Sequence, residues 1–238
     1  MTKEKIEGSY KERVDGRGFD EIREIKAEVG IVPNADGSAM FAQGDTIALA
    51  AVYGPKILNP KHQQNPEKGV LRVHYNMISF SVGERIKPGI SRRSQEISQV
   101  TEWALTPLVM LEELPGTVID IHINILQANA GTRCAGINAA AMALAHAGVP
   151  MKEMISAVAV GKMDKTLVAD VIKEEEDYED GEGATDIPMA FLSNSEKITL
   201  LQLDGKIPVA RLKEALEIGK EACKKIHEHQ VKALKETE

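Results

Sequence analysis

Residues 117–126 alternate with a strict period of two. Ile119, Ile121, Ile123 and Ile125 fall on one side, and Asp120, His122 and Asn124 on the other. Successive side chains of a strand point to opposite faces, so this pattern specifies a strand with one face on a core and one in water. His122 is accordingly read as a surface residue of the polar face, not a ligand. Such a strand needs sheet neighbours and an apolar layer to cover its isoleucines. Residues 47–53 form an apolar run suited to a strand buried on both faces, and residues 71–77 are rich in strand formers. Strand-like patterning begins at Val29. Further strands fit 155–161, 166–172, 186–192 and 197–203, with a hairpin around Met163-Asp164-Lys165 and a stop at Asp204-Gly205.

Three segments read as helices. Residues 94–111 place Ile97, Val100, Ala104, Leu108 and Leu111 on one stripe, with Pro107 as an expected kink. Residues 135–147 are Ala-rich and stop at Gly148. Residues 208–234 open on a proline and align Val209, Leu212, Leu216, Cys223 and Ile226, which makes Cys223 a core residue rather than a reactive thiol. There is no low-complexity linker, composition break or obvious repeat. The pattern predicts an α+β fold of mixed β-sheets packed with about three main helices. Residues 1–12 read as a charged, loosely held arm and 13–238 as a single domain.

At 238 residues the chain can bury a substantial core. Its 43% hydrophobic and 27% charged residues argue against global disorder. The two cysteines, Cys134 and Cys223, have no metal-type spacing and do not suggest a disulfide scaffold. The opening residues lack an apolar signal core, and no apolar run approaches the ~20 residues of a membrane span. A reduced cytoplasmic protein without a membrane segment is expected.

A net charge of −7 and a pI near 5.5 argue against a simple basic nucleic-acid-binding module. The charge is unevenly placed, however. Residues 54–93 hold eight basic residues against two acidic, and residues 170–186 hold nine acidic residues against Lys173 alone. The plain reading of each run is a solvated loop, and for most of 174–177 that reading is expected to hold.

Phosphate-loop, nucleophile-elbow and His-Glu-x-x-His motifs are absent, which argues against a P-loop NTPase, a serine hydrolase and a zinc enzyme. The six histidines form no evident cluster. Three features remain. Gly131-Thr132-Arg133 opens the second helix. A helix start carries unpaired N–H groups and partial positive charge, Thr adds a hydroxyl, and Arg offers a phosphate fork. An ordinary cap with a surface arginine is the simpler reading of those three residues alone. Ser91-Arg92-Arg93-Ser94 opens the first helix. Two arginines there oppose the helix dipole, which leaves backbone-phosphate contact as an alternative to a solvated helix start. Asp180 and Asp186 flank a glycine-containing loop that enters a strand. They suit a Mg²⁺ site completed by waters and substrate phosphates, or a general acid toward a leaving oxygen. An anion site, a polyanion track and metal-compatible carboxylates together suit phosphoryl transfer on a nucleic acid.

The whole pattern resembles the RNase PH family. Arg13-Val14-Asp15-Gly16-Arg17 with Asp20-Glu21-Ile22-Arg23 is similar to its amino-terminal signature, and Gly37-Ser38-Ala39 with Gly44-Asp45-Thr46 to its second. Ser91-Arg92-Arg93-Ser94-Gln95-Glu96-Ile97, Gln127-Ala128-Asn129-Ala130-Gly131-Thr132-Arg133 and the stretch from Glu179-Asp180 to Asp186 continue the match in order. Within the family the chain looks most like the catalytic RNase-PH-type subunit of the archaeal exosome, on Cys134-Ala135-Gly136-Ile137-Asn138 and Asp186-Ile187-Pro188. It departs from the family at Asn129-Ala130, where Asp-Gly is common, and in its long acidic run 174–179.

The resemblance implies an RNase PH-type fold and a phosphate-dependent 3′-to-5′ exoribonuclease acting on single-stranded RNA. Inorganic phosphate would be the co-substrate, nucleoside diphosphates the products, and RNA tailing the reverse reaction. Carried over residue by residue, Gly131, Thr132 and Arg133 would hold the phosphate with Arg93. Lys61, Arg72, Arg92 and Arg93 would hold the RNA backbone. Asp180 and Asp186 would supply the proton and a Mg²⁺ site, with Asp180 preferred as acid and Asp186 as metal or orienting carboxylate. The implied partners are a homologous non-catalytic subunit in a hexameric ring, a trimer of heterodimers, and S1/KH-type RNA-binding cap proteins. RNA would be read through its backbone, in keeping with no evident aromatic stacking array. A homohexameric tRNA-trimming RNase PH and a non-catalytic RNA-binding ring subunit are the alternatives.

Overall fold

The computed structural model describes residues 10–236. Among these described residues, nine strands form two sheets. The first contains β1 (Ile25–Val29), β2 (Gly37–Gln43), β3 (Thr46–Ile57), β4 (Val70–Met77) and β5 (Thr117–Gln127), in the order β1-β2-β3-β5-β4. The second contains β6 (Ile155–Met163), β7 (Thr166–Ala169), β8 (Ala184–Leu192) and β9 (Ile198–Leu201), in the order β7-β6-β8-β9. The strict alternation of the sequence becomes β5. Ile119, Ile121, Ile123 and Ile125 are all buried, and His122 is exposed. β4 pairs with β5 in parallel, register Val73↔Ile121. A parallel neighbour requires a crossover, and α1 (Arg92–Leu105) supplies it.

α2 (Thr132–His146) lies between the sheets, packed on β2 and β3 on one side and β6 on the other. Its run of small residues suits that place, since a helix buried all round must be apolar all round. Asn138 is the polar exception. Its side chain donates to Ala157 O at 2.9 Å and accepts from Ala157 N at 2.8 Å, so both of its polar ends are satisfied in the core. α4 (Val209–Lys235) covers β6 and β1, with Cys223 buried in the core as expected.

Four local expectations are corrected. Residues 47–53 are not buried on both faces. Ala48, Ala50 and Val52 are fully covered, while Ile47, Leu49, Ala51 and Tyr53 are only partly covered on the opposite face. Pro107 does not kink a longer helix. α1 ends at Leu105, and the chain passes through Pro107 to a 3₁₀ turn at Leu111–Glu113. Val209 sits on the first turn of α4 but is 72% exposed. Residues 174–177 are not simply a solvated loop. α3 (Lys173–Glu176) forms there, and Glu175 is 1% exposed, accepting from Tyr10 Oη at 2.7 Å and from Arg13 Nε and Nη2 at 2.8 Å. A buried arginine–carboxylate fork explains one of the acids that sequence alone left without a role. Of the charged arm expected over 1–12, residues 1–9 lie outside the described residues, and Tyr10 is buried against Phe19 and Tyr178.

Candidate active site

The turn between β5 and α2 is held in an unusual backbone conformation. Ala130 and Gly131 both have positive φ, 56° and 61°. The αL region is disfavoured for alanine, so the neighbours must impose it. Thr46 Oγ1 donates toward the carbonyls of Asn129 and Ala130 at 2.8 Å and accepts from Asn129 N at 3.1 Å. Arg23 Nη1 donates to Asn129 O at 2.6 Å. Arg23 is itself clamped by Asp170, through Nε at 2.8 Å and Nη2 at 2.7 Å. The resemblance-bearing residues Arg23 and Thr46 therefore act as the frame of the 127–131 turn. That turn delivers Gly131 as the N-cap of α2, and no side chain caps the helix. The first N–H groups of α2 are left available to an anion.

Two adjoining cavities, of about 500 and 580 Å³, open beside this helix start. Arg93, Arg133, Lys173, Glu176 and Asp186 line both. Gly131 and Thr132 line the first, and Gln202 and Asp204 the second. Arg93 comes from the first turn of α1, which is fixed by a reciprocal capping box between Ser91 and Ser94. Arg133 is positioned by Glu96 at 3.2 Å and by the side-chain oxygen of Gln202. Gln202 in turn donates to Glu96 at 3.0 Å. The Arg133 Nε is buried without a partner, so the guanidinium keeps a donor in reserve.

Asp186 and Glu176 are the carboxyls these cavities share, and Asp186 is the more perturbed of the two. It enters on β8, and its Oδ1 is buried without a hydrogen-bond partner. Burial first, then the charges of Glu176 and Asp204, push its pKa up to about 7, against the pull of Arg133. Asp204 is brought there by an antiparallel bridge to Asp186. No group of three or more His, Cys, Asp or Glu side chains among the described residues is disposed to hold a metal ion by itself.

The structure thus gathers Arg93, Gly131, Thr132, Arg133 and Asp186 from four elements of the chain around one space. It does not bring the rest of the sequence-read set there. Arg92 is exposed and lines neither cavity. Asp180 is exposed in the loop before β8, where its carbonyl accepts from Gly183 N at 3.1 Å, and its side chain lines neither cavity. Lys61 lies in the 3₁₀ turn Lys61–Gln63, to which Arg72 donates through Gln63 Oε1 at 3.2 Å. Sequence reasoning did not single out Glu176, Gln202 or Asp204. Glu176 was hidden in the acidic run, and Asp204 had only its place before Gly205 as a strand-ending signal.

Residues 21–150 match the family described as 3′ exoribonuclease family, domain 1, and residues 153–222 match domain 2 of the same family. The chain belongs to the RNase PH family of 3′ exoribonucleases. The two matched segments meet between α2 and β6. Among similar curated proteins, the exosome complex component Rrp41 of Thermococcus kodakarensis is 50% identical over 224 residues, covering 94% of this chain and 88% of that one. Rrp41 of Methanopyrus kandleri is 46% identical over 224 residues, covering 94% and 92%. Among solved structures, rice Rrp46 superposes with a TM-score of 0.81 at 26% identity, over 93% of this chain and all of that one. An Archaeoglobus fulgidus exosome chain, from a structure with RNA bound to the active site, gives a TM-score of 0.77 at 22% identity, over 91% and 92%. The α+β RNase PH-type fold expected from the motifs is the fold of the chain. No helix among the described residues is long and apolar enough to cross a membrane.

Proposed function

We propose that the chain is the catalytic RNase PH-type subunit of an exosome ring and degrades single-stranded RNA from its 3′ end by phosphorolysis. The observation that carries this reading is the uncapped N-terminus of α2, flanked by Arg93 and Arg133 and facing the cavity carboxyl Asp186. The N–H groups at the helix start, the Thr132 hydroxyl and the two guanidinium groups are complementary to inorganic phosphate. A phosphate oxygen attacks the phosphorus of the terminal phosphodiester, the bond to the penultimate 3′ oxygen breaks, and a proton passes to that oxygen. The products are a nucleoside diphosphate and an RNA shorter by one nucleotide, and the reverse reaction extends RNA. Arg92, Arg93, Lys61 and Arg72 contact the RNA backbone.

The carboxylates divide by environment. Asp186 has an orphaned oxygen and two acidic neighbours, Glu176 and Asp204, a concentration of negative charge that a cation would relieve. Oxygen donors completed by water and substrate phosphate suit Mg²⁺. Asp186 would hold the ion, and when bound it supplies charge neutralisation to the phosphate oxygens. Asp180, the proton donor in this reading, is exposed outside both cavities, so the loop that carries Gly181 and Gly183 would have to bring it to the leaving oxygen when RNA binds. The relatives named as exosome complex components favour an exosome over a homohexameric tRNA-trimming enzyme; a homologous partner subunit and RNA-binding cap proteins belong to the same proposal.

The test is release of nucleoside diphosphates from single-stranded RNA bearing a 3′ hydroxyl, with and without phosphate, in the presence of the partner subunit. Monophosphate products, or release that is indifferent to phosphate, would contradict the reading. Full phosphorolysis by an Asp180→Ala/Asp186→Ala variant would remove the site assignment.

A further inference from the structure

The solvent face of the first sheet holds an arrangement that the scattered histidines of the sequence do not suggest. His74 and His122 are register partners on β4 and β5. Their rings stack with centroids 4.8 Å apart and planes at 19°. Tyr53 on β3 stands edge-on to His122 at 5.8 Å and 76°. Both imidazoles are exposed. Neighbouring charge is arranged around the stack. Asp120 on β5 is neutralised by Lys56 at 2.7 Å, and the Glu102 carboxylate of α1 interacts with the charges of Arg72 and His74. Arg72 stands two residues before His74 on the same face of β4, leaning on the turn that carries Lys61.

This face leads into the candidate active site. Arg72, His74 and Asn76 point the same way, at intervals of about 6.6 Å given the rise of a strand. Asn76, held by Asn124 at 3.2 Å, lines the cavity of Arg93 and Gly131. A row thus runs from cations at the start of β4, through an aromatic stack, to the cavity mouth. A single strand of RNA has matching parts: anionic phosphates for Lys61 and Arg72, and flat bases for the imidazoles. Stacking is indifferent to base identity, which suits a strand of mixed sequence.

We propose that the outer face of β4 and β5 is the approach track for the RNA strand, with the His74–His122 stack receiving a nucleobase upstream of the 3′ end. This rests on the proposed action on RNA and adds a base-stacking subsite to a path otherwise read through phosphates.

The test uses the full chain and single-stranded RNA carrying 2-aminopurine at successive positions upstream of the 3′ end. In the wild type one window of positions is quenched. His74→Ala/His122→Ala abolishes that quench, and His74→Phe/His122→Phe, which keeps two rings, restores it. The alanine pair also raises KM for RNA by about 10-fold, a loss that grows with RNA length, because only longer strands reach β4. Quenching that is equal in wild type and alanine variant overturns the track, as does a loss equal for short and long RNA. A variant that changes subunit assembly and leaves quenching intact also overturns it, by showing the face to be a protein interface. Quenching without nucleoside diphosphate release would discard phosphorolysis and keep the track, and release without quenching would do the reverse.

Discussion

Asp186 and Asp204 sit opposite one another across an antiparallel bridge, each donating its backbone N–H to the other's carbonyl at 2.9 Å. The bridge fixes two acidic residues side by side where β8 enters the cavities. Like charges at close range disfavour each other's ionised form, and burial adds to this. The sequence shows these residues 18 positions apart with no sign that they meet.

The first prediction concerns stability. Burial and its acidic neighbours let the folded chain hold the Asp186 proton up to about pH 7, whereas an unfolded chain releases it near the ordinary aspartate value of 3.8. The folded state therefore binds more protons between these values, and the contribution of Asp186 to stability is lost as pH rises through that window. Asp186→Asn cannot ionise. It is expected to match the wild type in stability below about pH 4. It should exceed the wild type by on the order of 4 kcal/mol at pH 8. Urea midpoints measured across that range check this, and a constant difference with pH would count against it.

A divalent cation and a proton compete for the same oxygen. Mg²⁺ is therefore expected to bind more tightly as pH rises through about 7, and to release protons as it binds. Calorimetry in buffers of different ionisation enthalpy reads both effects. Asp204→Asn removes one like charge, lowers the Asp186 pKa, and moves the onset of binding to lower pH.

Arg133 is held in place by Glu96 and Gln202 rather than by surface chance. Arg133→Ala is expected to raise KM for phosphate by about 10- to 100-fold, the weight of a charge-assisted hydrogen-bonding fork. KM for RNA should change far less. Lys at this position keeps the charge but not the fork, so Arg133→Lys is expected to recover only part of the loss. Steady-state kinetics with phosphate and RNA varied separately distinguish the two effects.

Much of the frame was legible because its signals are local. The isoleucine alternation of β5, the Ala-rich α2 with its Gly148 stop and the Met163–Thr166 hairpin each depend on neighbours in sequence, and each is found. Gly131-Thr132-Arg133 was legible as a helix start with a candidate anion site, although an ordinary cap was the simpler reading of those three residues alone. Long-range pairings were not. Glu175 reads as one more solvated acid until Arg13, 162 residues away, is folded onto it. His74 and His122 lie in separate strands, and only the parallel register of β4 and β5 makes them a stack. Pro107 signals a break in the helical pattern, but sequence alone did not distinguish a kink from an end.

The buried Arg23–Asp170 pair joins the turn 127–131 to the segment after β7. Asp170 accepts from Arg23 N, Nε and Nη2 at 2.7–2.8 Å. Asp170→Asn removes the charge and turns an N–H group toward a buried guanidinium. Breaking a buried pair by removing one partner costs about 3 kcal/mol or more. The same arginine holds the Asn129 carbonyl, so activity should fall beyond the loss of folded protein. Denaturation midpoints and activity per folded molecule, measured on the same preparation, separate the two.

Gly37 shows how close the first sheet comes to α2. A Cβ placed there would lie 2.4 Å from the Ala143 carbonyl oxygen and 2.4 Å from the Ala147 N. Both are backbone atoms, so relief requires the helix itself to move. Gly148 is the contrasting case. Its φ is 68°, and nothing lies within 4 Å of an added Cβ, so substitution there meets backbone strain alone. Gly148→Ala is expected to cost about 1 kcal/mol. Gly37→Ala should cost about 3 kcal/mol or more, because overpacking a close-packed layer displaces secondary structure rather than a side chain. Denaturant unfolding of the two variants gives the order, and equal losses would mean that α2 shifts away from β2 at little cost.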